Sequence, residues 1–191
     1  SWFLQSSPGY SNDNSYPYSG ITYYEAKFSL EGGFYENPLS VALTSLGGVI
    51  HYTLDGSAPL ESDSVYTSAI AIDQSMALRA RIFQNNFIPG PVITHSYFYE
   101  DSLDLRALPV VSLITNPEYF WDPDSGIYVQ NFKPEWEYPL NIEFFENDGN
   151  NRAVFNETAG GKVNGLYSWQ LPQKMLGIYF RNEYGNNNLD Y

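Results

Sequence analysis

The sequence has no cysteine, only two histidines and two methionines, and few residues of positive charge. Without thiols it forms no disulfide, no cysteine-ligated zinc site and no thiol nucleophile. Its 9 Lys and Arg stand against 22 Asp and Glu, a formal net charge of −13. Such a surface repels phosphate backbones, which excludes nucleic-acid binding as a main function. No apolar run reaches the roughly 18 residues of a transmembrane helix, so no membrane span is predicted.

Hydrophobic and aromatic residues, by contrast, are abundant, at 43% and 17% of the chain. This hydrophobic content is enough for a packed core and excludes wholesale disorder. Aromatic rings fit the pleated, half-buried surface of a β-sheet, so the composition favours a mainly β fold. The 191 residues suffice for one large domain or two small ones.

The chain begins with SWFLQSSPGYSND, which has neither Met nor the basic start of a signal peptide. We therefore expect a segment of a longer exported protein, and the lack of cysteine suits a bacterial protein outside the cytoplasm. Residues 1–24 are poor in aliphatic side chains and rich in Ser, Asn, Tyr, Pro and Gly. That composition predicts an extended leader or linker.

Residues 25–100 show short β-prone segments separated by turn signals. Asp55-Gly56 predicts a tight turn, because glycine tolerates positive φ and the Asp carboxylate binds backbone donors ahead of it. Several short strands at this spacing predict a β-sandwich of immunoglobulin type. The predicted strands cover residues 28–30, 40–45, 49–54, 68–72, 77–83 and 94–99.

A family resemblance covers residues 27–99, which include the segment GGVIHYTLDGSAPLESDSVYTSAIAIDQSMALRARIFQNNFIPGPVITHSYF. The segment resembles the chitobiase/β-hexosaminidase C-terminal domain family. The resemblance implies a small immunoglobulin-like sandwich, without catalytic residues, appended to a larger extracellular bacterial protein. The residues that carry it are Tyr52, Thr53, Asp55, Gly56, Ser57, Pro59, Tyr66, Leu78 to Ala80, Gly90 and Thr94.

Residues 101–108 form a short acidic linker, and residues 109–191 predict a small α+β domain with a mostly antiparallel sheet. The apolar run at 108–115 predicts a buried strand. Asn116 then predicts a helix cap, with Pro117 at the first position of a short helix ending at Trp121. Further strands are expected at 138–146 and 175–181, with a Gly-rich stretch at 159–165 between them.

A second resemblance covers residues 108–191, through LPVVSLITNPEYFWDPDSGIYV, YPLNIEFFENDG and GGKVNGLYSWQLPQKMLGIYFRNEYG. They resemble the start of the CotH kinase-like family, atypical kinases that transfer phosphate from ATP to secreted or coat proteins. The resemblance implies that Lys174 contacts the nucleotide phosphates and that Gly165 and Ser168 form the phosphate turn. Trp169 stands where the family usually has Arg. The leader resembles the end of a lamin-tail-like domain.

Other polar and aromatic residues receive structural interpretations. Asp122 and Asp124 lack the remaining ligands of a calcium loop, so a plain turn is predicted there. Four acidic residues invite comparison with a glycosidase pair, but solvated surface positions are predicted for all of them: Glu135, Glu137, Glu143 and Glu146. His51 and His95 are predicted to be core or edge histidines. Trp121, Trp136 and Trp169 suit packing better than a sugar-stacking platform.

We therefore expect a noncatalytic accessory fragment of an exported bacterial cell-surface protein. For this chain alone, no catalytic residue, metal or cofactor is predicted, whereas ATP and Mg²⁺ are implied for the full-length protein. The expected partners are the downstream remainder of its own chain and cell-surface proteins or glycans. Two alternatives remain open: the ATP-binding lobe of a secreted kinase, active only at full length, and a carbohydrate-binding module.

Overall fold

The computed structural model describes residues 18–99, 108–129, 135–146, 149–165, 167–185, 187–189 and 191. Most of the predicted leader and of the linker at 101–108 therefore lies outside the described residues. We call residues 18–99 the sandwich unit and the described residues from 108 onward the sheet unit. The predicted domain boundaries stay a prediction.

The sandwich unit is built from short strands. In chain order they are β1 (Gly20–Ile21), β2 (Lys27–Phe28), β3 (Gly33–Tyr35), β4 (Leu39–Val41), β5 (Leu43–Thr44), β6 (Val49–Thr53), β7 (Ser64–Val65), β8 (Ile70–Ile72), β9 (Met76–Phe83), β10 (Phe87–Ile88) and β11 (Val92–Tyr99). A five-stranded sheet has the order β3-β11-β9-β6-β7, and the pairs β2–β5, β4–β8 and β1–β10 accompany it. The mainly β, immunoglobulin-like expectation is confirmed. The strand expected at 28–30 lies at 27–28, the strand expected at 68–72 is shorter than predicted, and the single strand expected at 40–45 is divided into β4 and β5. The strands β1, β3, β7 and β10 were not predicted.

The core of the sandwich unit follows from strand alternation. Leu78, Ala80 and Ile82 alternate along β9 and are fully buried. Their intervening neighbours, Arg79 and Arg81, lie on the opposite face of the strand, as the alternation predicted. Buried side chains from β4, β5, β6, β8 and β11 complete the same hydrophobic cluster. The two layers of strands thus enclose one core.

The Asp55-Gly56 turn forms as predicted from its sequence. Gly56 has a φ of +89°, a conformation that glycine adopts without steric cost. The Oδ1 atom of Asp55 accepts a hydrogen bond from the backbone N–H of Ser57, at 2.9 Å. Hydrogen bonds from the side chain and backbone of Ser57 lower the pKa of the Asp55 carboxyl group below its usual value.

The sheet unit contains a four-stranded antiparallel sheet in chain order. Its elements are β12 (Val110–Ile114), α1 (Pro117–Trp121), β13 (Tyr138–Phe145), β14 (Phe155–Val163) and β15 (Leu176–Tyr179), with 3₁₀ turns at Ser168–Gln170 and Asn182–Tyr184. The predicted antiparallel sheet and the short helix are both confirmed. Most of the Gly-rich stretch at 159–165 belongs to β14.

Two local expectations for the sheet unit are wrong. In β12 the polar Ser112, whose hydroxyl contacts that of Ser96 in the sandwich unit, is the buried residue, whereas Val111 lies on the other face of the strand and is 54% exposed. Asn116 precedes α1 but makes no side-chain cap. Instead, its Oδ1 atom accepts a hydrogen bond from the backbone N–H of Ala58 in the sandwich unit, at 2.7 Å. The oxygen that was expected to cap the helix thus contacts the sandwich unit instead.

Candidate functional site

The residues of the predicted nucleotide site lie in the connection between β14 and β15. Gly165 has a φ of +93°, and the backbone of Ser168 begins a 3₁₀ turn. The Nζ atom of Lys174 donates hydrogen bonds to the carbonyl oxygens of Trp169 and, at 3.3 Å, of Leu171. It also lies 5.7 Å from the centre of the Tyr128 ring.

The ammonium group of Lys174 is therefore engaged by carbonyls of its own loop. A phosphate would have to replace these acceptors, or approach an ammonium group that keeps them. The structure brings the three predicted residues into one loop, and their role towards a nucleotide stays a prediction.

Asp122 organises the turn that follows α1. Its Oδ1 atom accepts hydrogen bonds from the backbone N–H groups of Asp124 and Ser125, at 2.9 and 2.8 Å, and from the Ser125 hydroxyl. These bonds, led by the one from the Ser125 side chain, lower the pKa of the Asp122 carboxyl group. The predicted plain turn is confirmed. Within the described ranges, no group of three or more acidic or histidine side chains is arranged to hold a metal ion.

The three tryptophans, for which packing was expected rather than a sugar-stacking platform, are only partly buried. Trp121 is 61% exposed and its ring centroid lies 5.1 Å from that of Tyr128. Trp136 and Trp169 are of intermediate burial. Whether these rings contact a sugar stays a prediction.

The acidic residues differ from one another in their surroundings. Glu135 is exposed, as predicted. Glu137 is not a solvated residue, because its side chain is 14% exposed and lies 3.0 Å from Arg181 Nη2. Its Oε1 atom also accepts a hydrogen bond from the Tyr184 hydroxyl, at 3.2 Å. Burial, followed by the Glu137 charge, raises the pKa of Tyr184 to about 12.

Glu143, in the middle of β13, is fully buried. The expectation of a solvated surface carboxylate is therefore wrong at this position. The side chain lies in the interface between the two units. Its burial is produced by the sandwich unit, which the alternation of β13 alone does not reveal.

The Glu143 carboxylate accepts hydrogen bonds with both of its oxygens. Oε2 accepts one from the backbone N–H of Ser96 in β11, at 2.8 Å. Oε1 accepts one from Asn156 Nδ2, at 3.2 Å, and that amide nitrogen also donates to the carbonyl oxygen of Thr94, at 2.8 Å. The hydroxyl groups of Ser96 and Ser112 lie 2.7 Å apart.

His95 and Gly32 complete this polar cluster. The backbone N–H of Gly32 donates to His95 Nδ1, at 3.2 Å. The same Nδ1 lies 3.7 Å from Glu143 Oε1. A Cβ atom at Gly32 would meet the Ser96 carbonyl oxygen at 2.6 Å. Glycine is thus required here by the close approach of β11 and Glu143, a requirement that the sequence alone did not reveal.

An aromatic cluster lies beside the polar one. The ring of Phe34 in β3 stacks on Phe98 in β11, with centroids 4.9 Å apart. Both meet the edge of Phe145 in β13, at 5.5 and 5.4 Å. Phe34 and Phe145 are almost completely buried. The interface therefore combines apolar burial with a buried carboxylate whose two oxygens both accept hydrogen bonds.

We expect Glu143→Ala to lower the free energy of unfolding by about 1–3 kcal/mol, because it leaves the buried Ser96 N–H without its acceptor, whereas Asn156 Nδ2 keeps the Thr94 carbonyl oxygen. Glu143→Gln keeps one acceptor oxygen and should cost less. Urea unfolding followed by circular dichroism measures both changes. Glu61→Ala, at an exposed loop position, is the control and should stay within about 0.5 kcal/mol of the unmutated protein. A loss for Glu143→Ala no larger than the control's would contradict this role.

Comparison with known proteins identifies one segment of the chain. Residues 30–94 match the family model described as chitobiase/beta-hexosaminidase C-terminal domain. This confirms the first resemblance for most of the sandwich unit. The match does not extend to residues 108–191 or to the leader, whose resemblances stay predictions. No significant match was found among curated proteins or among solved structures.

None of the helices in the described ranges has the length and apolar character needed to cross a membrane.

Proposed function

We propose that this chain is a noncatalytic accessory module of an exported cell-surface protein, in which the sandwich unit holds the sheet unit in a fixed position. The match of residues 30–94 to a family described as a C-terminal domain supports an appended role. Extracellular location and bacterial origin are part of the proposal. The remainder of its own chain and neighbouring surface proteins or glycans are its proposed partners.

The observation that carries this proposal is the buried interface around Glu143. A flexible tether would leave each unit with a solvated surface and few shared buried polar groups. Here a fully buried carboxylate on one unit accepts a hydrogen bond from a backbone N–H of the other. Separating the units would leave these groups to find new partners, so a single relative orientation is favoured.

A second hydrogen bond between the units extends this argument. Asn116 Oδ1 accepts from the Ala58 N–H at one end of the interface, and Phe34 packs on Phe145 at the other. Contacts at separated points resist rotation as well as translation. The sandwich unit is therefore suited to spacing and orienting the sheet unit.

Paired spin labels test this positioning role, and the absence of native cysteine makes the labelling sites unique. We expect spin labels on Val49→Cys in β6 and Val111→Cys in β12, both exposed strand positions, to show one narrow distribution of label-to-label distances in pulsed electron paramagnetic resonance. Adding Glu143→Ala should broaden it, whereas adding Glu61→Ala should not. A broad or multiple distribution in the otherwise unmutated pair would overturn the positioning role.

A second proposed function is nucleotide binding by the sheet unit within a longer kinase-like protein. It is favoured by the position of Gly165, Ser168 and Lys174 in one connection, with Gly165 at positive φ. Backbone N–H groups of such a turn and a lysine in the same loop are suitable donors for phosphate oxygens. ATP and Mg²⁺ are the proposed ligands.

If this second function holds, Mg-ATP should bind the chain saturably, and Lys174→Ala should weaken binding by about tenfold through loss of one phosphate contact. Isothermal titration calorimetry measures the affinity of the unmutated chain and of Lys174→Ala for Mg-ATP. Lys162→Ala is the matched control, because that ammonium group lies over the Tyr179 ring, at 4.8 Å, and should leave the affinity unchanged. Absence of binding, or equal affinity in the Lys174 variant, would reject the proposal for this chain.

A further inference from the structure

A pocket of about 290 Å³ lies at the interface of the two units, close to the Glu143 cluster. It is lined from the sandwich unit by Arg79 and Thr94, and from the sheet unit by Thr115, Tyr119, Asn141 and Thr158. Neither unit alone forms it. The proposed positioning role does not require this pocket to be occupied.

Arg79 is the charged group of the pocket and is only 9% exposed. Its Nε donates to the Thr94 hydroxyl oxygen at 3.1 Å, and its Nη1 to the carbonyl oxygen of Gly56 at 2.7 Å. Burial lowers the pKa of the guanidinium group to about 10. Both hydrogen-bond acceptors are neutral, so the positive charge is not compensated by them.

Within the described residues, no carboxylate lies within ion-pair distance of Arg79. Asp55 is the carboxylate that influences the pKa of Arg79, and its influence is smaller than those of burial, Tyr119 and Arg81. The Asp55 carboxylate is engaged by Ser57 in the turn. A guanidinium group has five N–H donors, and the two hydrogen bonds above use two of them. A buried cation of this kind is better stabilised by an anion than by neutral acceptors.

Apart from Arg79, the lining combines three threonines, two asparagines and one tyrosine with five apolar residues. The Thr94 oxygen accepts from Arg79, which leaves its hydroxyl proton available to donate. The Nδ2 atom of Asn141 donates a hydrogen bond to Asn156 Oδ1, at 3.0 Å, which leaves the side-chain oxygen of Asn141 as an acceptor. The hydroxyl of Tyr119 is close enough to Arg79 to affect its pKa. The apolar wall, which is the larger part of the pocket surface, is formed by Ala58, Pro91, Val92, Pro139 and Leu140.

We propose that this pocket binds a sugar acid of one ring, with its carboxylate against Arg79 and its hydroxyl groups against the threonine, asparagine and tyrosine side chains. A carboxylate matches the fork of a guanidinium group through two parallel hydrogen bonds. The volume lies just below the range for ligand pockets, roughly 300–1,000 Å³, which limits the ligand to about one ring. The hydroxyl and amide groups suit the hydroxyl groups of a sugar ring, and the larger apolar wall suits the apolar faces of that ring.

Nuclear magnetic resonance titration of the ¹⁵N-labelled 191-residue chain with D-glucuronate tests the proposal. We expect saturable shifts at Thr94, Asn141 and Thr158, and weaker or no shifts with neutral D-glucose at the same concentration. Acetate should bind at least tenfold more weakly than glucuronate, and so should inorganic phosphate. Equal binding of glucose would overturn the role of the charge, equal binding of acetate or phosphate would overturn sugar-acid selectivity, and no shift with glucuronate would overturn the site.

Variants assign the effect to the pocket. Arg79→Met should weaken glucuronate binding at least tenfold, and Arg81→Met should not change it, because Arg81 does not line the pocket and donates its Nε to the Gly90 carbonyl oxygen. Since Arg79 also holds the turn at Gly56, Tyr119→Phe is a second variant that removes only a hydroxyl group. It should weaken binding severalfold in a folded protein. Unchanged affinity in Tyr119→Phe, together with unchanged affinity in a folded Arg79→Met, would overturn the assignment.

Discussion

The hydrogen bond between the Glu143 carboxylate and the Ser96 N–H is the interaction on which the arrangement of the two units depends. β3 pairs with β11 only from Gly33 opposite Tyr97 onward, so the Ser96 amide lies just before that pairing begins. A side chain from the other unit satisfies a backbone donor that the sheet itself leaves unpaired. Burying a carboxylate is costly unless its oxygens are satisfied, and here both accept hydrogen bonds.

The same constraint explains several residues that otherwise have no common purpose. Gly32 is small because Ser96 and Glu143 approach its backbone. Asn156 uses its amide nitrogen for Glu143 and for the Thr94 carbonyl oxygen, which joins β14 to β11. The pocket beside Arg79 exists because the interface fixes Thr94 of one unit near Asn141 and Thr158 of the other. The relative position of the two units and the pocket between them are thus consequences of one interface.

Much of the fold of each unit was predictable from local patterns. The Asp55-Gly56 turn, the alternation of Leu78, Ala80 and Ile82, and the helix starting at Pro117 all depend on residues near one another in sequence. Such features follow from glycine conformation, strand periodicity and proline geometry.

The candidate site was not predictable in the same way, because its burial comes from the other unit. Glu143 follows the strand period as a polar residue, and the period alone assigns it to solvent. The one available signal was Phe145 two residues along on the same face, which is unusual for a solvated surface. The predicted Asn116 cap was missed for a similar reason, since the Ala58 N–H of the other unit donates to the Asn116 Oδ1 atom that was expected to cap the helix.

Hydrogen exchange at the Ser96 amide tests the central claim most directly, because Glu143 is the acceptor of that N–H. If the interface persists in solution, the Ser96 amide exchanges as slowly as the amides of the fully buried β9 residues Leu78 and Ala80. It should become much faster in Glu143→Ala while those core amides stay comparatively protected. Rapid exchange of Ser96 in the unmutated protein, at the rate of an exposed loop amide, would contradict a fixed arrangement of the two units.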